Sequence, residues 1–440
     1  MDRRRTHVVG LAASRPGIKV VGRGRSLWAS GQPAAQRVDP MTAGSTERLL
    51  LTGRLVAPAG IVDDGAVVVQ DGRIVYAGRL TSLPTGCGGL TVPEGWVQGR
   101  TLLPGLVDAH CHGAAGGEFG SDEEGAARAV THHHRCGSTS VVGSLVSAPA
   151  SRLIRGVASL APLIKRGDLA GIHLEGPFLS TARCGAQDPA ALIDVDLDLI
   201  EAIAAAAPGA FMHMTFAPER RGARALPSAL GAVGALGAVG HTDADFVTTR
   251  SALDAIADVG ARGGRPLVTH LFNGMAPMHH RSPGAVAAAM AAAGRGDAVV
   301  ELIGDGVHLD AGTVRMIFDT VGADQVALVS DAMSAAGLPE GCYTLGGRDV
   351  TVHGRQVRLA TGLLAGGVST LLDQVRWCVR EIGLELHDAV MAASRTPAKA
   401  LGLNDVGELS DGRWADVVIV DERLELRRVM RRGQWLTPPD

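Results

Sequence analysis

"GIHLEGPF", residues 171–178, alternates apolar Ile172 and Leu174 with polar His173 and Glu175, then breaks at Gly176-Pro177. Alternation with period two marks a strand, and Gly-Pro ends it. The strand therefore delivers a carboxylate, Glu175, to its C-terminal end. Taken alone, such a carboxylate is simply solvated; what the other strand ends carry decides its meaning. The same unit recurs on both sides. Strand-like runs end near Asp108, Gly143, Glu175, Ala217, Gly240, Leu271, Gly304 and Ser330. Segments of helical length separate them, among them "DEEGAARAVTHHHRCG", "SRLIRGVASLAPLIKRG" and "ADFVTTRSALDAIADVGARGG". Eight strands with intervening helices, closed by a last helix in "VSTLLDQVRWCVREIG", predict an α/β fold of the (β/α)8 TIM-like barrel type.

In such a barrel the C-terminal strand ends meet at one mouth, and the chemistry collects there. The first strand ends in His110-Cys111-His112, the third in Glu175, the fifth in His241 and the sixth in His270. The seventh runs into Asp305-Gly306-Val307-His308, and the eighth ends in Asp331. His110 and His112 face the same side of their strand, because side chains repeat every two residues. Imidazole and carboxylate donors suit Zn²⁺, with Fe²⁺, Co²⁺ or Mn²⁺ as alternatives, and a catalytic site keeps one position open for water. A carboxylate such as Asp331 can orient that water, take its proton and return it to a leaving group. One histidine at a strand end is more often structural. Convergence of several ligand types on the expected strands reverses that weighting.

The remaining histidines do not share in this. His132, His133 and His134 fall at a helix C-terminus, where the helix dipole favours them, and are expected at the surface. His279 and His280 read as loop, His173 as structural and His213 as core. Cys111 reads as a small packed residue.

The net charge of −3 over 440 residues exerts no whole-molecule pull on nucleic acid or membrane, and no apolar run reaches the ~20 residues of a bilayer span. The six cysteines stand singly, which fits a reducing, cytoplasmic setting. Residues 1–47 are basic and lack apolar periodicity, so a disordered extension is expected. A chain begun at Met41 should therefore keep the melting temperature and turnover of the full one. A large drop in either would show that the extension packs. From residue 48 to 103 short alternating runs prevail, with Gln70-Asp71-Gly72 placed as a hairpin turn.

"PGLVDAHCHG" (104–113) resembles the first-strand signature of the metal-dependent amidohydrolase superfamily. The closing "SRTPAKALGLNDVGELSDGRWADVVIVDERLELRRVMRRGQWL" resembles its C-terminal segment. That resemblance implies a small β-sandwich made of residues 48–103 and 403–440 beside a barrel of residues 104–402. "HLEGPF", "GHTDA", "THLFNGM", "DGVHLD", "LVSDAMSAAG" and "LLAGG" stand in the order seen in N-acetylglucosamine-6-phosphate deacetylases. The resemblance implies Glu175, His241 and His270 as main metal ligands and Asp331 as catalytic acid/base. His110 and His112, replaced in some members, are retained here and imply room for a second ion. Substrate contacts are implied at Ala186, Gln187, Asn273, Gly274, Asp305, His308, Leu364, Ala365 and Gly366. Arg281 is implied as a phosphate ligand reaching in from the partner of a homodimer. Gln187 stands where the family commonly has histidine, and Gly274 where it commonly has alanine.

Only three lysines occur, Lys19, Lys165 and Lys399, none at a strand end. A carboxylated-lysine bridge between two metals, common in relatives of the dihydroorotase type, is thereby excluded; Glu175 is the available bridge. The expected reaction is hydrolytic deacetylation of N-acetylglucosamine 6-phosphate, a small amino-sugar phosphate. The alternatives are the galactosamine epimer, another amidohydrolase acting on a cyclic amide or amine, and a non-catalytic relative that would have lost its ligands.

Overall fold

The computed structural model describes residues 48–85, 90–96 and 99–437; the expected N-terminal extension, 1–47, lies outside them. Eight parallel strands follow one another around a barrel: Val107–Cys111, Ser140–Val146, Gly171–Glu175, Phe211–Phe216, Leu236–Val239, Leu267–Val268, Val299–Leu302 and Val326–Leu328. Each neighbours the next in parallel register, so that Glu175 lies opposite Val146 on one side and Thr215 on the other. The seam between the eighth strand and the first is closed by individual bonds. Asp331 N–H donates to the His110 carbonyl (2.9 Å), His112 N–H to the Ala332 carbonyl (2.8 Å) and Ser330 N–H to the Asp108 carboxylate (3.1 Å). The seam thus ties His110, His112 and Asp331 together through their backbones.

The helices between strands begin at side-chain caps that the sequence supplies. Asp122, Asp196, Asp245 and Asp310 each accept a backbone N–H of the first turn, satisfying donors that have no partner within the helix. Thr370 and Asp373 form a reciprocal capping box at the start of Leu371–Arg380, the expected last barrel helix. Inward faces such as Leu153, Val157, Leu160 and Leu163 are fully buried against the strands. Among the described residues no helix is long and apolar enough to cross a membrane.

Segments near both ends of the described residues enter a second, mixed sheet. Thr101–Pro104 pairs in parallel with Arg48–Ala57 and antiparallel with Val417–Val420, which joins the N-terminal strands to the C-terminal ones. Leu51, Leu55, Val67, Ile74, Leu102, Val417, Ile419 and Met430 form its core. The hairpin turn lies at Asp71-Gly72 as the sequence indicates, with φ of 50° and 76°, the doubly left-handed turn that suits strand twist.

Three features depart from the sequence reading. The sixth strand is only two residues long, leaving His270 beyond it. A three-stranded antiparallel sheet, Gly341–Leu345, Arg348–His353 and Gln356–Leu359, is inserted after the eighth strand. Third, His133 and His134 are buried rather than at the surface. The end of helix Glu123–Arg135 packs against the loop after the first strand, placing His133 Nε2 3.0 Å from Cys111 Sγ and 3.1 Å from the Gly113 carbonyl. Burial pushes the His133 pKa down to about 4, so it is neutral. His173 and His213 stack with ring centroids 4.0 Å apart inside the barrel, where His173 bonds Ser144 and Thr215. Their structural assignment stands.

Candidate metal and catalytic site

Glu175 is the hub of the barrel mouth. Its Oε1 lies 2.9 Å from His241 Nε2, 2.9 Å from His270 Nε2 and 3.7 Å from His110 Nε2. Its Oε2 lies 3.3 Å from His112 Nε2 and accepts from Gln187 Nε2 at 2.5 Å. Asp331 Oδ1 lies 3.2 Å from His112 Nε2 and 3.5 Å from His110 Nε2. The Nε2 atoms of His110 and His112 are 3.1 Å apart. All seven side chains are nearly or wholly buried.

Three of these residues, His241, His270 and Asp331, have left-handed backbone at φ of 46°, 26° and 45°. Such backbone in a non-glycine residue costs about 1–3 kcal/mol and is held by its surroundings. Gly274 N–Cα geometry is also left-handed (φ 62°), and a Cβ there would come within 2.8 Å of His241 Nδ1. Here the position is fitted to glycine.

The outward nitrogens show that this donor set fits a cation. His112 Nδ1 faces the Ser144 carbonyl (3.2 Å) and His241 Nδ1 the Arg183 carbonyl (2.8 Å). A carbonyl only accepts, so Nδ1 carries the proton and a neutral ring turns its Nε2 lone pair inward. That is the arrangement of metal-ligating histidines held by an outer hydrogen bond. Taken by themselves, the protein groups order as ion pairs. For Glu175, burial opposes ionisation but His241, His112 and His270 outweigh it and hold the carboxyl well below its ordinary range. For Asp331, burial is likewise outweighed by His110 and His112. The imidazoles respond in kind. Burial disfavours their charge, yet Asp331 and Glu175 raise His112 to about 10, and Asp331, Glu301 and Glu175 raise His110 to about 8. Two overlapping triads emerge that could hold a metal, His110/His112/Glu175 and Glu175/His241/His270.

The site opens into a cleft of about 200 Å³ lined by His112, Glu175, Gln187, His241, His270 and Asp331, and further out by Ala186, Asn273, Gly274, His308, Leu364 and Gly366. His308 is held by Asp305 (Nδ1 to Oδ2, 2.9 Å), whose other oxygen accepts the Val307 and His308 N–H groups. Asp305 therefore stands behind His308, outside the cleft lining. Ala365 likewise packs into the core of the inserted sheet. Arg281 is exposed, with its guanidinium 2.7 Å from His280 Nε2, and does not line its own chain's cleft. Gln187, expected at the substrate, spends Oε1 on the Ser147 N–H (2.7 Å) and one amide hydrogen on Glu175; one hydrogen is left for a ligand.

The sequence reading overlooked the contribution of the inserted sheet. Leu345, Gly346 and Arg348 line the cleft, and Arg348 donates to the Ala186 and Gln187 carbonyls at 3.1 Å each. Short alternating runs around Gly346-Gly347 and Gly354 were its signal.

Comparison with known proteins agrees with this geometry. Residues 101–436 match the amidohydrolase family. The chain is 33% identical over 348 residues to the N-acetylglucosamine-6-phosphate deacetylase of Lysinibacillus sphaericus, covering 77% of this chain and 86% of that one. It is 31% identical to the N-acetylgalactosamine-6-phosphate deacetylase of Escherichia coli O157:H7, covering 88% and 98%. A solved N-acetyl-D-glucosamine-6-phosphate deacetylase variant from Mycobacterium smegmatis, in complex with N-acetyl-D-glucosamine-6-phosphate, superposes with a TM-score of 0.81 at 37% identity, over 89% of this chain and 99% of that one. The chain belongs to the amidohydrolase family, in its N-acetylglucosamine-6-phosphate deacetylase branch.

Proposed function

We propose that the protein hydrolyses the acetamide of N-acetyl-D-glucosamine 6-phosphate, releasing D-glucosamine 6-phosphate and acetate. The observation that carries this function is the single cleft that joins the Glu175 imidazole cluster and Asp331 to His308, Asn273 and Gln187. Glu175, His241 and His270 are assigned as the main ligands of a divalent metal, taken as Zn²⁺ from the nitrogen and oxygen donors. His110 and His112 would share Glu175 with a second ion. Bound there, a divalent cation supplies Lewis acidity toward water and the amide carbonyl. Asp331 acts as base on the attacking water and then protonates the departing amine. Gln187, through its remaining amide hydrogen, and His308, held in direction by Asp305, donate to substrate oxygens. Asn273 is steadied by the His270 carbonyl (3.2 Å) at the rim. Free thiols at Cys111, Cys136, Cys184, Cys342 and Cys378 suit a cytoplasmic enzyme.

The direct test is acetate release from both hexosamine 6-phosphates alongside metal analysis. Faster turnover of the galactosamine epimer, the substrate named for the Escherichia coli relative, would move the assignment to that sugar. No release from either would overturn it.

Arg281 is assigned to the substrate phosphate of a neighbouring subunit in a homodimer. Its exposure and its distance from its own cleft are compatible with that role. A charged hydrogen bond is worth roughly 1.5–3 kcal/mol, about 10- to 100-fold. Arg281→Ala is expected to lower kcat/KM for the phosphorylated sugar on that scale and to spare the weak activity on unphosphorylated N-acetylglucosamine. Mixing Arg281→Ala chains with Asp331→Asn chains should restore some activity through hybrid dimers. Equal loss on both sugars would point to a structural role, and failure of complementation to action within one subunit.

A further inference from the structure

Glu301 interrupts the apolar run of the seventh strand, Val299–Leu302, and is wholly buried inside the barrel. One carboxyl oxygen, Oε2, lies 3.2 Å from His110 Nδ1 and accepts the His270 backbone N–H at 3.3 Å. The Glu301 backbone carbonyl accepts the Leu271 N–H at 2.8 Å. His110 belongs to one ligand triad and His270 to the other. His270 lies past the end of a two-residue strand at φ 26°, so its turn gets little support from a ladder.

We propose that Glu301 is a positioning residue for both halves of the metal site. Its carboxyl accepts the Nδ1 proton of His110 and so selects the form of the ring whose Nε2 lone pair points inward. The same oxygen, with the backbone carbonyl, pins the turn that aims His270 at Glu175. A hydrophobic residue of similar size would fill the space but leave both buried groups without a partner, which is unfavourable. Glu301 itself does not line the cleft. The proposal rests on the metal-site assignment made above.

The test uses the full-length protein and Glu301→Gln. Glutamine sets a single atom where Oε2 sits, so its oxygen there keeps both bonds. Its nitrogen there donates to His110 Nδ1, favours the ring form with Nε2–H directed into the site and loses the His270 N–H. Glu301→Leu, tested beside it, removes both acceptors whichever way the amide turns. Outer hydrogen-bond partners of metal ligands are typically worth 10- to 100-fold in metal affinity or activity. Zn²⁺ affinity, measured by competition with a chromophoric chelator, is expected to fall by about that factor. The melting temperature of the metal-free variant should match that of metal-free wild type, and kcat should fall while KM for the sugar phosphate holds. Glu301→Asp, which keeps an acceptor with shorter reach, should lie between the two in affinity. Wild-type Zn²⁺ affinity and kcat in both Glu301→Gln and Glu301→Leu would overturn the inference. So would an equal loss of stability in the metal-free proteins, since that is the mark of packing alone; if glutamine prevents folding, intermediate affinity in Glu301→Asp supports the inference and unchanged affinity refutes it. Absence of Zn²⁺ binding by the wild-type protein would overturn the metal assignment itself and the inference with it.

Discussion

Asp331→Asn is expected to lower turnover by about 10²–10⁴ while the barrel stays folded, the range typical of a positioned general acid/base. Asparagine matches aspartate in shape and is among the few residues that accept left-handed backbone readily, so the φ of 45° is no obstacle. The backbone N–H that closes the barrel seam to His110 is also retained. What disappears is a base. His110 and His112 outweigh burial and hold the Asp331 carboxyl below its ordinary range, so it is ready to take a proton at neutral pH, and an amide cannot. Steady-state kinetics with a melting curve and metal analysis check this. Turnover within a few-fold of wild type would remove Asp331 from the chemistry, whereas a parallel fall in metal content would show that it also helps bind the second ion.

Glu175→Gln is expected to empty the site of metal and cut turnover by about 10³. Lewis-acid stabilisation contributes several kcal/mol, and roughly 4 kcal/mol corresponds to three decades in rate. Among the described residues none other can take over, because Glu175 faces His110, His112, His241 and His270 at once. Chelation of the wild-type protein should reproduce the loss, and added Zn²⁺ should reverse it in wild type alone. Metal loading should also depend on pH in a definite direction. Against burial, the Asp331 and Glu175 carboxylates push the His110 pKa up to about 8, with Glu301 adding to it, and the His112 pKa up to about 10. Both are raised values, so each ring is protonated below them and must lose a proton before it can ligate. Affinity for the cation is therefore expected to rise with pH through this range. Chelator competition on either side of about pH 8 measures it, and a pH-independent affinity would contradict the assignment of His110 and His112 as ligands.

Much of this site is legible before folding because its information is local. Period-two alternation ending at Glu175, the His110-x-His112 pair on one strand face, and Asp331 after a short apolar run each follow from a few consecutive residues. The barrel rule then carries them to one mouth. Asp122, Asp196, Asp245 and Asp310 mark helix starts in the same local way. The burial of His133 is not local; it follows from which face of its helix meets the loop after the first strand. Gln187 turns to Glu175 and Ser147 rather than wholly to the cleft because separate loops converge there. Arg348 reaches the same loop from an inserted sheet some 160 positions away along the chain. Glu301 looks like an ordinary polar residue in an apolar strand until register sets it between His110 and His270. Periodicity and residue chemistry determine which strands form and which ligand types they carry. The direction of each side chain past a strand end, and the partner its outer nitrogen meets, are decided by contacts between segments far apart in sequence, and only the folded chain brings those segments together.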